Sequence, residues 1–502
     1  NSLILSSVID GEVTIRLSKC IRNERGDIIL DSLGLNIKSV ITLSEIKLDL
    51  DFESTDTSMK VNLKTSELNL KSTLKLIPKN YLSALEGYEL QGKSAIKFNY
   101  IIDQKKEGYI NIDFDLQEGY INGRDLPLDI NKVSLKGSYS NGKKRKDAST
   151  KIKLDNIQFT ANGELVQANA IILGLKNPTL ITDFNTQIQL SEIDKWGYEY
   201  DFKSLMGAAQ IKGTYKGKIG LKNKFKYDLA MAEKTVDLYI DKLNLRTNEQ
   251  SPTLSDAKLS LKLVDDNVNI SVFNGTIGKE SKINFVGGIE NVFSNLILKN
   301  ADLKIAGSLS SDRIIIDEFL EKSNKTSGTS QDSKPQEINL PHGIIANINL
   351  SLLDLTFGRF HMRNFSSKIS YKNKLLKVKD IVLETMSGNI TSTVTFEQVK
   401  DKKLRLISTT VLDNINVRQL FYEFHNFGQT TMRHKHLKGK IDSEIYLRNE
   451  WDNYFNPIDE RLYSFIDVKI NNGELLDFEP LMMMSDYISV DELKRIKFST
   501  LE

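Results

Sequence analysis

Cysteine is nearly missing from this 502-residue chain: Cys20 is the only one. A single thiol excludes an intramolecular disulfide and any metal cluster built on cysteines. Charge of one sign is missing too. Lys and Arg number 68 against 66 Asp and Glu, a formal net charge of +2, and so balanced a chain carries no electrostatic footprint for nucleic acid. No apolar run reaches the length of about eighteen residues that a membrane-crossing helix needs, and no basic-then-apolar leader opens the chain. The catalytic inventory is empty as well. Neither G-x-S-x-G, a P-loop, G-x-G-x-x-G nor H-E-x-x-H occurs. The many carboxylates alternate with apolar residues, which marks a solvated strand face rather than a paired acid and base. The expectation is a protein that is not an enzyme and holds no cofactor.

What is present is alternation. Charged residues make up 27% and mean hydropathy is −0.31, the composition of a water-soluble chain. Its length is too great for one hydrophobic core, so several packing units or a repeated array are expected. Ile46, Leu48, Leu50 and Phe52 alternate with Lys47, Asp49 and Asp51, the period of a half-buried strand. Val61 and Leu63, Leu68 and Leu70, and Leu74 and Leu76 continue as strands. Pro78 breaks the run, and 81–86 read as one or two helical turns. Ile110, Ile112, Phe114 and Leu116 form the cleanest alternation. The basic run Lys143-Lys144-Arg145-Lys146 follows Asn141-Gly142 and reads as a charged hairpin tip.

The same pattern organises 340–396. Ile344, Ala346, Ile348, Leu350 and Leu352 share one face. The phase then flips, so that Leu353, Leu355 and Phe357 carry the apolar side, as one extra residue in a strand requires. Ile369 and Tyr371, Leu376 and Val378, and Ile390, Val394 and Phe396 follow between turns.

Landmarks recur. Segments 190–196, 310–320 and 413–421 each follow a strand and open a short amphipathic helix with Asp, Ser or Asn near its start. They lie roughly 100–120 residues apart, within the range of long repeats. The return strand Leu90-Gln91-Gly92 is matched by Ile211-Lys212-Gly213 and Leu437-Lys438-Gly439. The stretch from Leu116 to Leu128, with Gly119 and Pro127, is matched by Ile470 to Leu481, with Gly473 and Pro480. One module of several strands and a short helix is therefore used about four times. The polar segment 321–337 breaks the style and reads as a mobile linker. It divides repeated modules in 1–320 (landmarks near 90 and 211, helices near 82, 193 and 315) from a second region, 338–502.

That second region resembles a known family. The Leu340-Pro341 opening, the Gly358 turn, Arg363-Asn364-Phe365 and Ser387-Gly388-Asn389-Ile390 look like the C-terminal region of AsmA-like proteins. The likeness continues through 413–421, 436–445 and 465–481. The resemblance implies the bridge-like lipid-transfer group of Gram-negative envelopes, whose members are thought to pass phospholipid between inner and outer membranes. It also implies a periplasmic location and an inner-membrane anchor on an N-terminal helix. The chain opens at Asn1 and ends at Glu502, which reads as a piece truncated with respect to that family.

The expected fold is mainly β: an elongated, twisted, curved antiparallel sheet forming an apolar groove, with a few short helices between modules. Ile348, Ile112 and Phe114 are the candidate groove-lining residues, together with Leu48 on its alternating strand; each would equally be ordinary core in another β protein. The implied partners are phospholipid or another acyl lipid, a membrane reached through segments outside this sequence, and envelope proteins. Two other classes stay open: a chaperone-like factor that offers sheet edges to outer-membrane protein strands, and a structural or adhesive surface β-protein. His425, His434 and His436 could suggest a metal, but they lack cysteines or carboxylates at ligand spacing and read as a solvated loop. Met482-Met483-Met484, after Pro480, reads as the packed side of a short helix. Val490 to Ser499 reads as a charged helix turning into a strand.

Overall fold

The computed structural model describes residues 8–22, 28–43, 46–74, 87–103, 108–123, 130–144, 146–196, 202–219, 225–248, 251–320, 337–399, 402–484, 487 and 489–501. Strand accounts for 68% of the chain, arranged as an open, twisted, mainly antiparallel sheet with short helices between strand runs. The chain divides into two units, 1–200 with 208–238, and 201–207 with 239–502.

The first unit is a meander. Its strands are β1 (Val8–Arg22), β2 (Ile28–Leu43), β3 (Ile46–Ser54), β4 (Ser58–Thr65) and β5 (Leu68–Asn69). Then come β6 (Tyr88–Asp103), β7 (Tyr109–Gly123), β8 (Ile130–Ser140) and β9 (Lys151–Ala161). The strands β10 (Glu164–Leu173), β11 (Thr179–Gln189) and β12 (Ser204–Lys218) follow. Pairing is antiparallel from β1 through β4 to β6, and on from β6 to β12. Local chemistry sets the hairpins. Asn162 and Gly163 join β9 to β10 with φ of 49° and 90°, the left-handed pair that matches strand twist.

The second unit repeats the style. Its strands are β13 (Glu233–Arg246, from Tyr239 on), β14 (Leu254–Val264), β15 (Asn267–Ile277), β16 (Ser281–Glu290) and β17 (Leu303–Ser311). The two-residue β18 (Ile314–Ile315) precedes β19 (Ile344–Phe357), β20 (Phe360–Lys372) and β21 (Leu375–Thr385). Last come β22 (Gly388–Gln398), β23 (Leu404–Asn416), β24 (Leu437–Trp451), β25 (Tyr463–Leu476) and β26 (Arg495–Leu501). From β20 to β26 each strand pairs antiparallel with the one before. β17 and β18 instead run parallel to β19. A parallel neighbour needs a crossover of a dozen or more residues, and the helix Asp317–Leu320 with the segment after it supplies that length. In neither unit does a described end strand pair back to the other end: β1 pairs β2, and β26 pairs β25.

One backbone feature recurs. Gly92 (φ 136°) in β6 and Gly439 (φ 136°) in β24 each oppose a left-handed residue followed by a buried glycine, Glu118-Gly119 and Asn472-Gly473. Gly207 (φ 137°) opposes Lys242 in the same way. Gly213, further along β12, lacks that left-handed φ.

Two expectations need correction and two fall outside the described residues. Leu70–Leu74 is a helix, not a strand: Asn69 accepts from the Lys71 N–H at 2.9 Å and caps it, and leucines at 70 and 74 fit a helical turn as well as a strand. Leu353 and Phe357 do not carry the apolar face; they are 56% and 48% exposed, while Leu352 and Leu355 are both buried. The break in alternation falls at Leu353 and Asp354, beside the left-handed Asn364. The helix expected at 81–86 and the segment 321–336 lie outside the described residues.

Candidate functional site

Successive strands align their apolar residues in rows across the sheet. In the first unit Leu50, Leu63, Phe98 and Ile112 are paired neighbours on β3, β4, β6 and β7. The row continues through Tyr139, Ile152, Ile172 and Leu180 on β8 to β11. Eight strands at about 4.8 Å give a row of about 34 Å. Every member is half-buried. A second sheet packed at about 10 Å would bury such a row, so the side chains shelter one another on a face that stays open. On the other side Lys64, Lys97, Asp113 and Lys153 are exposed.

The next row carries Ile96 and Phe114, then Gly137 and Leu154. A Cβ on Gly137 would collide with the Phe114 ring. Phe184 lies over Gly213 and Phe498 over Gly473 in the same manner. Aromatic rings folded over cross-strand glycines cover the backbone without projecting far from the sheet. Ile112 and Phe114, two of the residues singled out in the sequence, thus stand on adjacent rows of one face. Leu48 lies at the level of Phe114 but is buried, only 7% exposed.

Ile348 belongs to the corresponding face of the second unit. It sits between Gly307 on β17 and Ile369 on β20, and the row runs on through Val378 and Val394. All are half-buried. This face is closed at one end of the strands. Leu352, Leu355, Met362, Ile381 and Leu383 form a buried cluster against which Ile316 packs, beside the helix Asp317–Leu320. Met386, Leu412, Ile415 and Ile441 form another, covered by Leu420 of the helix Val417–Glu423. The Asn416 side chain caps that helix through the N–H groups of Arg418 and Gln419, at the position the sequence indicated.

At the opposite strand end a strap crosses the face. Gln398 donates from Nε2 to the Ile338 carbonyl at 3.0 Å and accepts from the Leu340 N–H at 3.1 Å. Tyr371 donates its hydroxyl proton to the Pro341 carbonyl at 2.6 Å, and the Ile338 N–H donates to the Asn453 carbonyl. Glu337 pairs with Lys402 at 2.8 Å, and that ammonium holds the Glu337 carboxyl below its usual range. Nothing in the sequence pattern of 337–341 announces this role, because its partners lie 30 to 115 residues away.

The opposite face of each unit is mainly polar, although Leu165 in the first unit and Val286, Leu353 and Val382 in the second are exposed on it. In the first unit it carries a hollow of about 320 Å³ lined by Asn169, Asp183, Lys212 and Thr214 among others, and in the second a hollow of about 520 Å³ beside Asn347, Asn349 and Lys368. Their hydrogen-bonding walls suit water or polar groups rather than hydrocarbon. Glu450, only 3% exposed, is held there by Arg405 at 2.8 Å and Arg448 at 2.9 Å. The Arg448 hydrogen bond keeps its carboxyl ionised below the usual range, against the opposing effect of burial.

Two further expectations change. His434 and His436 are not on a solvated loop: His436 is 7% exposed, accepts from the Arg433 N–H at Nδ1 and meets Phe478 edge-on. His434 packs edge-on against Tyr422. Aromatic partners far along the chain draw them in. Met483 is not packed; it is 85% exposed beyond the short helix Glu479–Met482. No helix of the described residues is long and apolar enough to cross a membrane. Comparison with protein-family models, curated proteins and solved structures finds no match to this chain.

Proposed function

We propose that this chain carries phospholipid or a similar acyl lipid along the apolar face of its sheet. The observation that supports this most is the aligned rows of half-buried apolar side chains, open above and polar behind. Acyl chains laid across the strands would complete the burial that the fold leaves half done. Each methylene removed from water contributes about 0.8 kcal/mol without needing a residue-specific contact. Carriage of this kind needs no catalytic group, and the protein acts without chemistry on the lipid. The resemblance of 340–481 to AsmA-like proteins points the same way, to a bridge-like role in a Gram-negative envelope and to the periplasm.

The test is solvent extraction of the purified protein followed by mass spectrometry, with Ile348→Asp beside it. Asn347→Asp, one residue along on the exposed polar face, is the control. Phospholipid bound to wild type and control but depleted in Ile348→Asp is the expected result. A folded protein that carries no lipid and accepts none from vesicles would sink the proposal and favour partner strands at the sheet edges.

A further inference from the structure

The helix Val417–Glu423 does more than cover the sheet end. Its outward side and the turn that follows hold an aromatic cluster. Phe424 stands 5.3 Å from Phe360 and stacks on Phe427 at 5.7 Å, with planes 3° apart. Phe421 meets Phe427 edge-on at 5.1 Å. These contacts leave the outer surfaces wet: Tyr422 is 48% exposed, Phe424 42%, Phe427 53%, and Phe357 48%. Single exposed apolar residues need no explanation, but a contiguous group marks a contact site.

The backbone is bent to make it. His425, Asn426 and Phe427 have φ of 55°, 54° and 53°, and Gly428 follows at 73°. Residues with a Cβ rarely occupy this region in succession, and such strain persists where surroundings impose it, often at contact sites. The Asn426 carboxamide oxygen accepts the His434 N–H at 2.8 Å and pins the turn. The turn thus swings the Phe427 ring back over Phe424.

Basic side chains stand beside the cluster, with one carboxylate close by: Asp317 accepts the Gly358 N–H at 2.8 Å. Arg359 lies 5.0 Å above the Tyr422 ring. Arg418 donates to the carbonyls of Leu437 and Lys435, and Arg433 to that of Thr430. Among the described residues, none of these three arginines nor Lys435 forms an ion pair with a carboxylate. From Val417 to Lys440 the single acid is Glu423. Burial pushes its carboxyl above the usual range, so its charge is the least secure in the patch.

We propose that this patch seats on an anionic membrane surface, with Tyr422, Phe424 and Phe427 at headgroup level and the cations facing lipid phosphates. Amphipathic rings favour that level, and unpaired basic groups are attracted to acidic lipid. An acidic peptide would satisfy the cations but would leave the outward rings uncovered. The seat is distinct from the carrying face, and the proposal stands if that face proves to carry nothing.

The test is co-sedimentation of the full chain with vesicles of phosphatidylcholine alone and of phosphatidylcholine mixed with phosphatidylglycerol. Binding to the mixed vesicles, weakened by salt and reduced about tenfold in Arg359→Gln/Lys435→Gln, is expected. Phe427→Ser should lower it as well. Both Arg359 and Lys435 are exposed, so the double variant keeps its fold, which circular dichroism would verify. Gly288→Ala, away from the patch, should bind as wild type does. No binding, equal binding to both vesicles, or full binding by the double variant would each overturn the proposal.

Discussion

Gly439 and Gly473 oppose each other across β24 and β25 so closely that a Cβ on Gly439 would lie 3.1 Å from the Gly473 Cα. Gly92 and Gly119 repeat the arrangement across β6 and β7 at 3.0 Å. In both places the first glycine holds φ at 136° and its neighbour strand spends one left-handed residue, which shifts the register. The pair re-aims the strand so that apolar side chains stay on one face beyond the bulge.

Gly439→Ala meets both a forbidden φ and a backbone neighbour. It should destabilise the second unit by about 1–3 kcal/mol, read as a lowered thermal midpoint and faster amide exchange in β24 and β25. Gly288 in β16 has only the Val268 carbonyl within reach, at 3.7 Å, and no left-handed φ. Gly288→Ala should be neutral or mildly stabilising. Equal losses in the two variants would refute the assignment.

β26 is tied to β25 by charge. Glu474 receives Arg495 at 2.8 Å and Lys438 at 3.0 Å, and the Arg495 contact, then Lys438, draws its carboxyl from 4.5 down to about 2. A depressed carboxyl adds stability that is present above the unfolded value and lost as pH falls through the folded one. Protection of the β26 amides should therefore fall between pH about 4.5 and about 2. Glu474→Gln should remove that dependence, and an unchanged profile in the variant would contradict it.

Glu423 has the opposite sign. Burial raises its carboxyl, and its Oε2 has no hydrogen-bond partner. The folded state then holds the proton more tightly, so the contribution is favourable at low pH and is lost as pH rises through the folded value. Glu423→Gln should raise the thermal midpoint at neutral pH and leave it nearly unchanged at pH near 4. A variant less stable than wild type at neutral pH would rule out an unfavourable Glu423 charge.

What the sequence determined by itself was whatever is local. Two-residue alternation assigned Ile112, Phe114 and Ile348 to one strand face each, because successive side chains must point to opposite sides. The Asn expected near the start of the 413–421 helix is its cap, Asn416, and the alternation at 46–52 is a strand. Each depends on a handful of neighbouring dihedrals. The tertiary structure alone decided what depends on distant partners. Leu353 turned outward where Asn364, on the next strand, takes a left-handed φ. His434 and His436 left the solvent because Tyr422 and Phe478 were there to receive them. The strap at 337–341 and the parallel entry of β19 exist only through residues remote in sequence. Alternation says which side chains share a face; only the placement of other elements says whether that face is covered.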